Sequence, residues 1–288
     1  MTGDADAAVN VALSEGLRGL GAVLPIDGRI PWLPRGQRGF EPSLIYVLEG
    51  KGRSLVIDTG LPIHRRIIVS QLHRVLRPDS AVSIVVTRPE PDSFGNVGAL
   101  VDEFPVERIV GFSTNPLEFF PESMLRAAGT VRFERRRLGE SWEWDEGRII
   151  EFLPAPFGLL VTAWPYDVST GTLFTTDSFG WVHMTDPQSP CRVDAPLASI
   201  TPPTIENHLS HRFHWLAECR LELVEEALRR IFEERSVRMI APAHGCIFSG
   251  EACVRSQYDS VRDALMAMRR RGQVGLISST LDGTESSP

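Results

Sequence analysis

Residues 84–96 read Ile-Val-Val-Thr-Arg-Pro-Glu-Pro-Asp-Ser-Phe-Gly-Asn, and this stretch decides the interpretation of the fold. Its four apolar or β-branched residues predict a buried strand, and Arg88, Glu90 and Asp92 follow at every second position. Gly95 then precedes a helical pattern. Charged groups at the end of a buried strand are costly unless something pairs with them. The stretch therefore predicts either a bound metal ion or an ion pair that involves Arg88.

Three further predicted strands end in the same way, at Asp58, Asp177 and His244, each with a glycine close behind. Sites in open α/β sheets assemble beyond the carboxyl ends of strands, because separate loops converge there. We therefore expect these three groups to share one site with Glu90 and Asp92. So many carboxylates need a cation beside them if they are to stay ionised.

Alternating strands and helices predict an α/β fold with a helix-covered sheet. The chain shows a hairpin signal between Leu44–Leu48 and Ser54–Asp58, a strand at Leu159–Trp164, a helix within Pro116–Ala128 and a long helix over Glu206–Glu234.

No linker divides the chain, so residues 1–288 are predicted to form a single domain. Residues 1–16 and 280–288 have the composition of mobile termini.

Composition excludes several classes of protein. The formal net charge of −7 argues against a general nucleic-acid binder, because phosphate contacts need a basic surface. No apolar run is long enough to span a bilayer. The four cysteines form no Cys-x-x-Cys pair and no secretory segment precedes them, so we expect reduced thiols and a cytoplasmic location.

Four motifs together carry a resemblance to a known family. They are Val-Ile-Asp-Thr-Gly at 56–60, Glu-Pro-Asp at 90–92, Thr-Leu-Phe-Thr-Thr-Asp-Ser-Phe-Gly at 172–180 and Met-Ile-Ala-Pro-Ala-His-Gly at 239–245. This set resembles the metallo-β-lactamase superfamily and, within it, the diiron domain of flavodiiron proteins. The resemblance implies a four-layer αββα sandwich with the metals between the upper edges of its two sheets.

The resemblance also implies roles for individual residues. Glu90, Asp92, Asp177 and His244 fall at metal-ligand positions of the family, and Asp177 falls at the bridging one. Asp58 matches an aspartate that orients the site.

The sequence departs from the family pattern where histidines are expected. Arg88 and Ser93 occupy two of these positions, and Gly158 or Phe157 occupies the third. One of the two iron positions would then keep only Glu90 and Asp177. The other would keep Asp92, Asp177 and His244, a workable set for one Fe, Mn or Zn ion. The alternative is a metal-free site in which the permanently charged Arg88 neutralises the carboxylates.

A histidine-rich segment offers replacements for the missing ligands. His208, His211 and His214 follow one another at intervals of three residues and share a helical face. The resemblance places His214 near the pocket, so it joins Asp58 and Arg88 as a candidate catalytic residue. His183 is a further candidate ligand. The alternative is that these histidines cap a helix or face solvent.

Three functions remain open at this stage. The resemblance implies binding or sensing of dioxygen or nitric oxide, or oxidoreductase activity, at a reduced metal site. The expected absence of a flavin domain in this chain implies a separate electron donor, and a homodimer is left open. The second function is metal-dependent hydrolysis. The third is a metal-free, non-catalytic relative that binds a ligand or a partner.

Overall fold

The computed structural model of the protein describes residues 7–28, 30–34, 36–112 and 131–271. Its strands are β1 (Ala8–Ser14), β2 (Leu17–Pro25), β3 (Phe40–Glu49), β4 (Arg53–Ile57), β5 (Ala81–Val85), β6 (Val106–Gly111), β7 (Arg132–Arg135), β8 (Ser141–Asp145), β9 (Arg148–Pro154), β10 (Ala163–Asp167), β11 (Thr172–Thr176), β12 (Arg192–Val193), β13 (Met239–Pro242) and β14 (Ile247–Ser249). The α-helices in this part of the chain are α1 (Arg65–Val75), α2 (Pro91–Phe94), α3 (Val97–Glu103), α4 (Pro202–Arg212), α5 (Leu221–Glu234) and α6 (Glu251–Arg270).

The strands form two seven-stranded sheets. The first has the order β1-β2-β3-β4-β5-β6-β7, and its pairing changes from antiparallel to parallel at β4. The second has the order β12-β14-β13-β11-β10-β9-β8, and β11 and β13 run parallel in its middle. The carboxyl ends of the central parallel strands in both sheets therefore lead into loops, and these loops can form a site.

Three apolar clusters define four layers. The cluster between the sheets contains Ile57 and Val85 from the first sheet and Phe152 and Phe174 from the second. The outer face of the first sheet packs with α1 and α3, and the outer face of the second packs with α4, α5 and α6. The predicted αββα arrangement of two sheets between helices is confirmed.

The hairpin prediction is confirmed, and the N-terminal segment is more ordered than predicted. The predicted hairpin corresponds to β3 and β4, which pair antiparallel from Tyr46–Ile57 to Glu49–Ser54. The segment 1–16, predicted to be mobile, contains β1, which pairs with β2.

Two elements differ in their bounds from the prediction. The long helix over 206–234 is two helices, α4 and α5, separated by a 3-10 turn at His214–Glu218, because Phe213 leaves the helical conformation. The strand predicted from Leu159 begins only at Ala163, and residues 159–161 are exposed.

Two predictions concern residues outside the described part of the chain, namely the helix within Pro116–Ala128 and the tail 280–288. Among the helices that the structure describes, none combines the length and the apolar character that a membrane span requires.

Candidate functional site

Loops from both sheets meet at one edge of the sandwich. Asp58 follows β4 with a positive φ of 61°, and Arg88 lies in the loop between β5 and α2. Asp177 follows β11, and His244 follows β13. A backbone bridge between Ser43 and His244 ties the second sheet to β3 of the first. The strand ends singled out in the sequence therefore converge.

Arg88 lies at the centre of this site and is 3% exposed. Its Nη2 donates hydrogen bonds to Asp92 Oδ2 and, over 2.7 Å, to Asp177 Oδ1. Its Nε lies 3.4 Å from Glu90 Oε2, and its Nη1 lies 3.9 Å from Asp58 Oδ2. One guanidinium therefore faces four carboxylates, and burial excludes the water that would otherwise screen these charges.

Arg212, at the end of α4, supplies a second guanidinium. Its Nη2 contacts the same Oδ1 of Asp177 that Arg88 contacts. The guanidinium carbon of Arg212 lies 5.0 Å from the centre of the Trp32 ring, within the range of a cation–π contact. Asp177 thus accepts from two arginines that come from different layers.

His244 connects Asp92 to another buried carboxylate, that of Glu41. Its Nε2 lies 3.0 Å from Asp92 Oδ2, and its Nδ1 lies 3.7 Å from Glu41 Oε2. Trp32 Nε1 donates to both oxygens of Glu41 over 3.1 Å, and His183 Nε2 lies 3.9 Å from Glu41 Oε1. His244 is therefore held between two acids, Asp92 and Glu41.

Asp58 is fixed by the strand next to it. The amide and hydroxyl of Thr87 donate to Asp58 Oδ1, both over 2.9 Å, and the hydroxyl also lies 2.8 Å from Oδ2. Burial raises the pKa of Asp58 to about 6, although Arg88 and the Thr87 bonds oppose the shift. Asp58 therefore connects the carboxyl end of β4 to Thr87, which follows β5.

The ionisation of the remaining groups follows from their neighbours. Burial opposes the charge on Asp92, but Arg88 and His244 outweigh it and hold the pKa of Asp92 below its usual range. Burial also disfavours charge on His244, yet Asp92 and Glu41 raise its pKa to about 9. Glu90 has its pKa raised by burial. His244 is therefore cationic at neutral pH, a third positive charge beside Arg88 and Arg212.

Comparison with known proteins agrees with this architecture. No protein-family model matches the chain. Diflavin flavoprotein A 3 from Nostoc sp. is 27% identical over 207 residues, which are 69% of this chain and 33% of that protein. The solved structures that share the fold include flavodiiron proteins and a metallo-β-lactamase.

Two of these structures show how much of each chain is shared. A flavodiiron core from Synechocystis sp. superposes with a TM-score of 0.69 at 15% identity, covering 93% of this chain and 63% of that one. The rubredoxin oxygen:oxidoreductase of Desulfovibrio gigas superposes with a TM-score of 0.61 at 16% identity, covering 90% of this chain and 62% of that one. This chain has a flavodiiron-type metallo-β-lactamase fold. It matches about one third of the length of its curated relatives.

The flavodiiron resemblance raises the question of whether these side chains fit metal ions. Asp92, Asp177 and His244 each offer one ligand atom, and the three atoms lie within 4.8 Å of one another. However, Arg88 Nη2 already binds the ligand oxygens of both aspartates. Arg212 adds a second fixed charge to Asp177. As arranged, the set does not fit a cation, because the ligand oxygens of both aspartates are already paired with guanidinium groups.

The residues at the positions where the resemblance implies histidines support this conclusion. Arg88 and Ser93 are buried in the site, and the Ser93 hydroxyl lies 3.3 Å from that of Thr87. Gly158 lines a cleft that also contains Arg88 and Asp177. None of these three residues supplies an imidazole. Glu90 is half-exposed and forms an ion pair with Arg88. It is not among the three residues, Asp92, Asp177 and His244, whose ligand atoms lie close together.

A cleft of about 120 Å³ lies beside Arg88 and Asp177. Its polar lining includes Arg88, Glu90 and Asp177, and its apolar lining includes Phe157, Phe213 and Trp215. The Phe157 and Phe213 rings stack with centroids 5.5 Å apart, and Trp215 meets Phe213 edge-on at 5.4 Å. Apolar walls with a few polar groups are typical of small-ligand sites.

The structure does not bring the histidine-rich segment to the metal-ligand positions. His214 is exposed and packs against Trp215, because the chain leaves α4 at Phe213 and turns the ring outward. His211 is also exposed and contacts the Pro31 carbonyl. His208 is buried edge-on against Trp181, and burial lowers its pKa to about 3.

His183, the remaining candidate ligand, contacts Glu41 and Gln37 instead of the Asp92–Asp177–His244 group.

Three residues of the site were missed in the sequence. Glu41 lies in β3, but Pro42 and Ser43 follow it and the predicted strand began only at Leu44. Trp32 belongs to an irregular segment. Arg212 follows His211 directly and was passed over in favour of its histidine neighbours. No local sequence pattern marks these three residues, because they reach the site through long-range packing.

Proposed function

We propose that this protein is a metal-independent, ligand-binding relative of the flavodiiron proteins. In this proposal the Arg88 guanidinium takes the place of a metal ion. The observation that carries it is the pair of hydrogen bonds from Arg88 Nη2 to Asp92 and Asp177, the two aspartates of the candidate metal group. A guanidinium remains charged at any physiological pH, so it neutralises these carboxylates permanently.

The surrounding contacts support the same proposal. Arg212 and a protonated His244 add two more positive charges on Asp177 and Asp92. A divalent ion would have to displace Arg88 and take a proton from His244 before it could bind. Redox chemistry at a metal is therefore less well supported than binding of an organic ligand in the cleft.

Metal content tests this proposal. We expect protein purified without chelator to contain Fe, Mn and Zn far below one ion per chain by elemental analysis. The double variant Arg88→His with Ser93→His restores two imidazoles beside Asp92 and Asp177 and should raise the metal content towards one ion per chain. The control is Arg220→His, which adds a histidine at an exposed position.

Two results would count against the proposal. A stoichiometric metal ion in the wild-type protein would contradict it directly. No gain in the double variant, with an intact fold, would show that residues 88 and 93 do not stand at ligand positions.

A second candidate function rests on the close spacing of Asp92, Asp177 and His244. If Arg88 turned away, two carboxylates and one imidazole would hold one Fe, Mn or Zn ion with positions left for dioxygen or nitric oxide. The relative named rubredoxin oxygen:oxidoreductase favours this chemistry, and catalytic turnover would need a separate electron donor. One iron per chain in the wild-type protein would favour this candidate.

Hydrolysis receives less support. A hydrolase of this superfamily uses a metal-bound water positioned by an aspartate. The carboxylate of Asp58 is already held by the amide and hydroxyl of Thr87.

A further inference from the structure

A groove of about 600 Å³ lies at the amino end of β13, away from the candidate site. It runs between the segment that joins α5 to β13 and the first turns of α6. Met239, the first residue of β13, lines the groove, whereas His244 follows the carboxyl end of the same strand. The volume falls in the range of small-molecule sites, about 300–1,000 Å³.

Three of the residues that line this groove are arginines, namely Arg235, Arg238 and Arg255. Arg235 pairs with Glu151 over 2.7 Å, and Arg255 pairs with Asp259 over 3.0 Å. Arg238 is exposed and has no carboxylate within ion-pair distance in the part of the chain that the structure describes. Its guanidinium is therefore available to an anion in the groove.

The amino end of α6 offers further donors to the same groove. This helix is 20 residues long and its N-cap is Gly250, so no side chain caps the amides of its first turn. Such amides attract anions, because they carry the positive end of the helix dipole. The Gly250 amide donates to the Arg238 carbonyl over 3.0 Å, which brings the start of α6 next to Arg238.

A second, independent observation is a pair of buried hydroxyl side chains that line the groove. Ser249 is 6% exposed and Tyr258 is 4% exposed. Neither hydroxyl has a hydrogen-bond partner among the described residues, yet neither oxygen is fully enclosed. Buried polar groups without a partner are uncommon and call for a ligand or water. Both hydroxyls can donate to an anion in the groove.

The remaining lining is largely apolar and consists of Phe232, Val237, Met239 and Val254. The Phe232 and Tyr258 rings stack with centroids 4.7 Å apart. The guanidinium carbon of Arg255 lies 5.1 Å from the centre of the Tyr258 ring. Flat groups therefore already stack along this wall, which favours a ligand that carries a ring as well as a charge.

We propose that the groove binds an organic phosphate monoester with a flat ring. Its phosphate group accepts hydrogen bonds from Arg238, from the Ser249 hydroxyl and from the first-turn amides of α6. Its ring packs against Phe232 and lies beside the Tyr258 hydroxyl. Glu251 also lines the groove and repels an anion there, but its exposed side chain can turn towards solvent.

Calorimetric titration with three probes tests the proposal. The probes are phenyl phosphate, inorganic phosphate and benzyl alcohol. We expect phenyl phosphate to bind most tightly of the three. Inorganic phosphate should bind several-fold more weakly because it lacks the ring, and benzyl alcohol at least about tenfold more weakly because it lacks the charge.

Variants locate the bound phosphate. Arg238→Gln should weaken the binding of phenyl phosphate at least about fivefold, and Ser249→Ala should weaken it by a smaller factor. Glu251→Gln removes the opposing charge and should strengthen the binding. The matched control is Arg220→Gln, which removes an exposed arginine that pairs with Glu222 and should leave the affinity unchanged.

Two results would overturn the phosphate site. The first is equal affinity for phenyl phosphate and benzyl alcohol, or no binding of either by the folded protein. The second is an equal effect of Arg238→Gln and Arg220→Gln, because the bound phosphate would then lie elsewhere on the protein. The inference is independent of the proposed function, since a stoichiometric metal ion at Asp92, Asp177 and His244 would leave this groove unchanged.

Discussion

At the scale of single residues, the proposed role of Arg88 is to neutralise carboxylates that a metal ion would otherwise neutralise. Its side chain is 2% exposed and lies between Asp92 and Asp177. Arg88→Met keeps much of the volume but leaves both acids buried without their main partner. We expect a loss of about 3–5 kcal/mol in the free energy of unfolding, measured by urea titration with chelator present.

The control for Arg88→Met is Arg220→Met. Arg220 is exposed and pairs with the exposed Glu222, so its loss should cost less than about 1 kcal/mol. Equal losses in the two variants would show that Arg88 does not hold the acids together.

His244 makes the stability depend on pH. Because its pKa rises from the ordinary 6.5 to about 9 on folding, its stabilisation is complete below pH 6.5 and is lost as the pH rises to about 9. The shift corresponds to on the order of 3 kcal/mol, at about 1.4 kcal/mol per pKa unit. Urea unfolding at a series of pH values across this window should show the decline.

The variant His244→Gln tests the assignment of that pH dependence. It keeps a hydrogen-bonding side chain but cannot take up a proton, so stability should become nearly independent of pH across the same window. A decline that persists in the variant would assign the titration to another group.

At the scale of elements, two glycines allow the loops after β11 and β13 to meet. Gly245 has a φ of +93°, and a Cβ on it would lie 2.8 Å from the Gly180 Cα. The loop after β11 carries Asp177, and the loop after β13 carries His244. Gly245→Ala should therefore cost about 2–4 kcal/mol, because it adds a backbone clash to an unfavourable φ.

Gly147→Ala isolates the conformational part of that cost. Gly147 also has a positive φ, +69°, but a Cβ there would meet nothing within 4 Å. We expect a loss of about 1 kcal/mol in the urea midpoint analysis. A loss as large as that of Gly245→Ala would mean that backbone strain alone explains both variants.

At the scale of the whole molecule, the sequence predicts which loops converge better than it predicts which other side chains contact the site residues. Strand ends carry local signals, such as an apolar run followed by a charge and a glycine, so Asp92, Asp177 and His244 could be placed together in advance. Glu41 and Arg212 reach the site through long-range packing, which leaves no periodic trace. The break between α4 and α5 was missed because apolar residues at helical spacing continue across it.

The core between the sheets predicts that both sheets unfold as one unit. Phe152 is fully buried in this core, and side chains from both sheets surround it. Phe152→Ala should therefore lower the free energy of unfolding by about 3–5 kcal/mol. Native-state hydrogen exchange should show the same decrease for amides of β4 in the first sheet and of β10 in the second. Leu223→Ala, at an exposed position, should change neither. A decrease confined to β10 would show that the sheets unfold separately, and the prediction of a single domain would then be wrong.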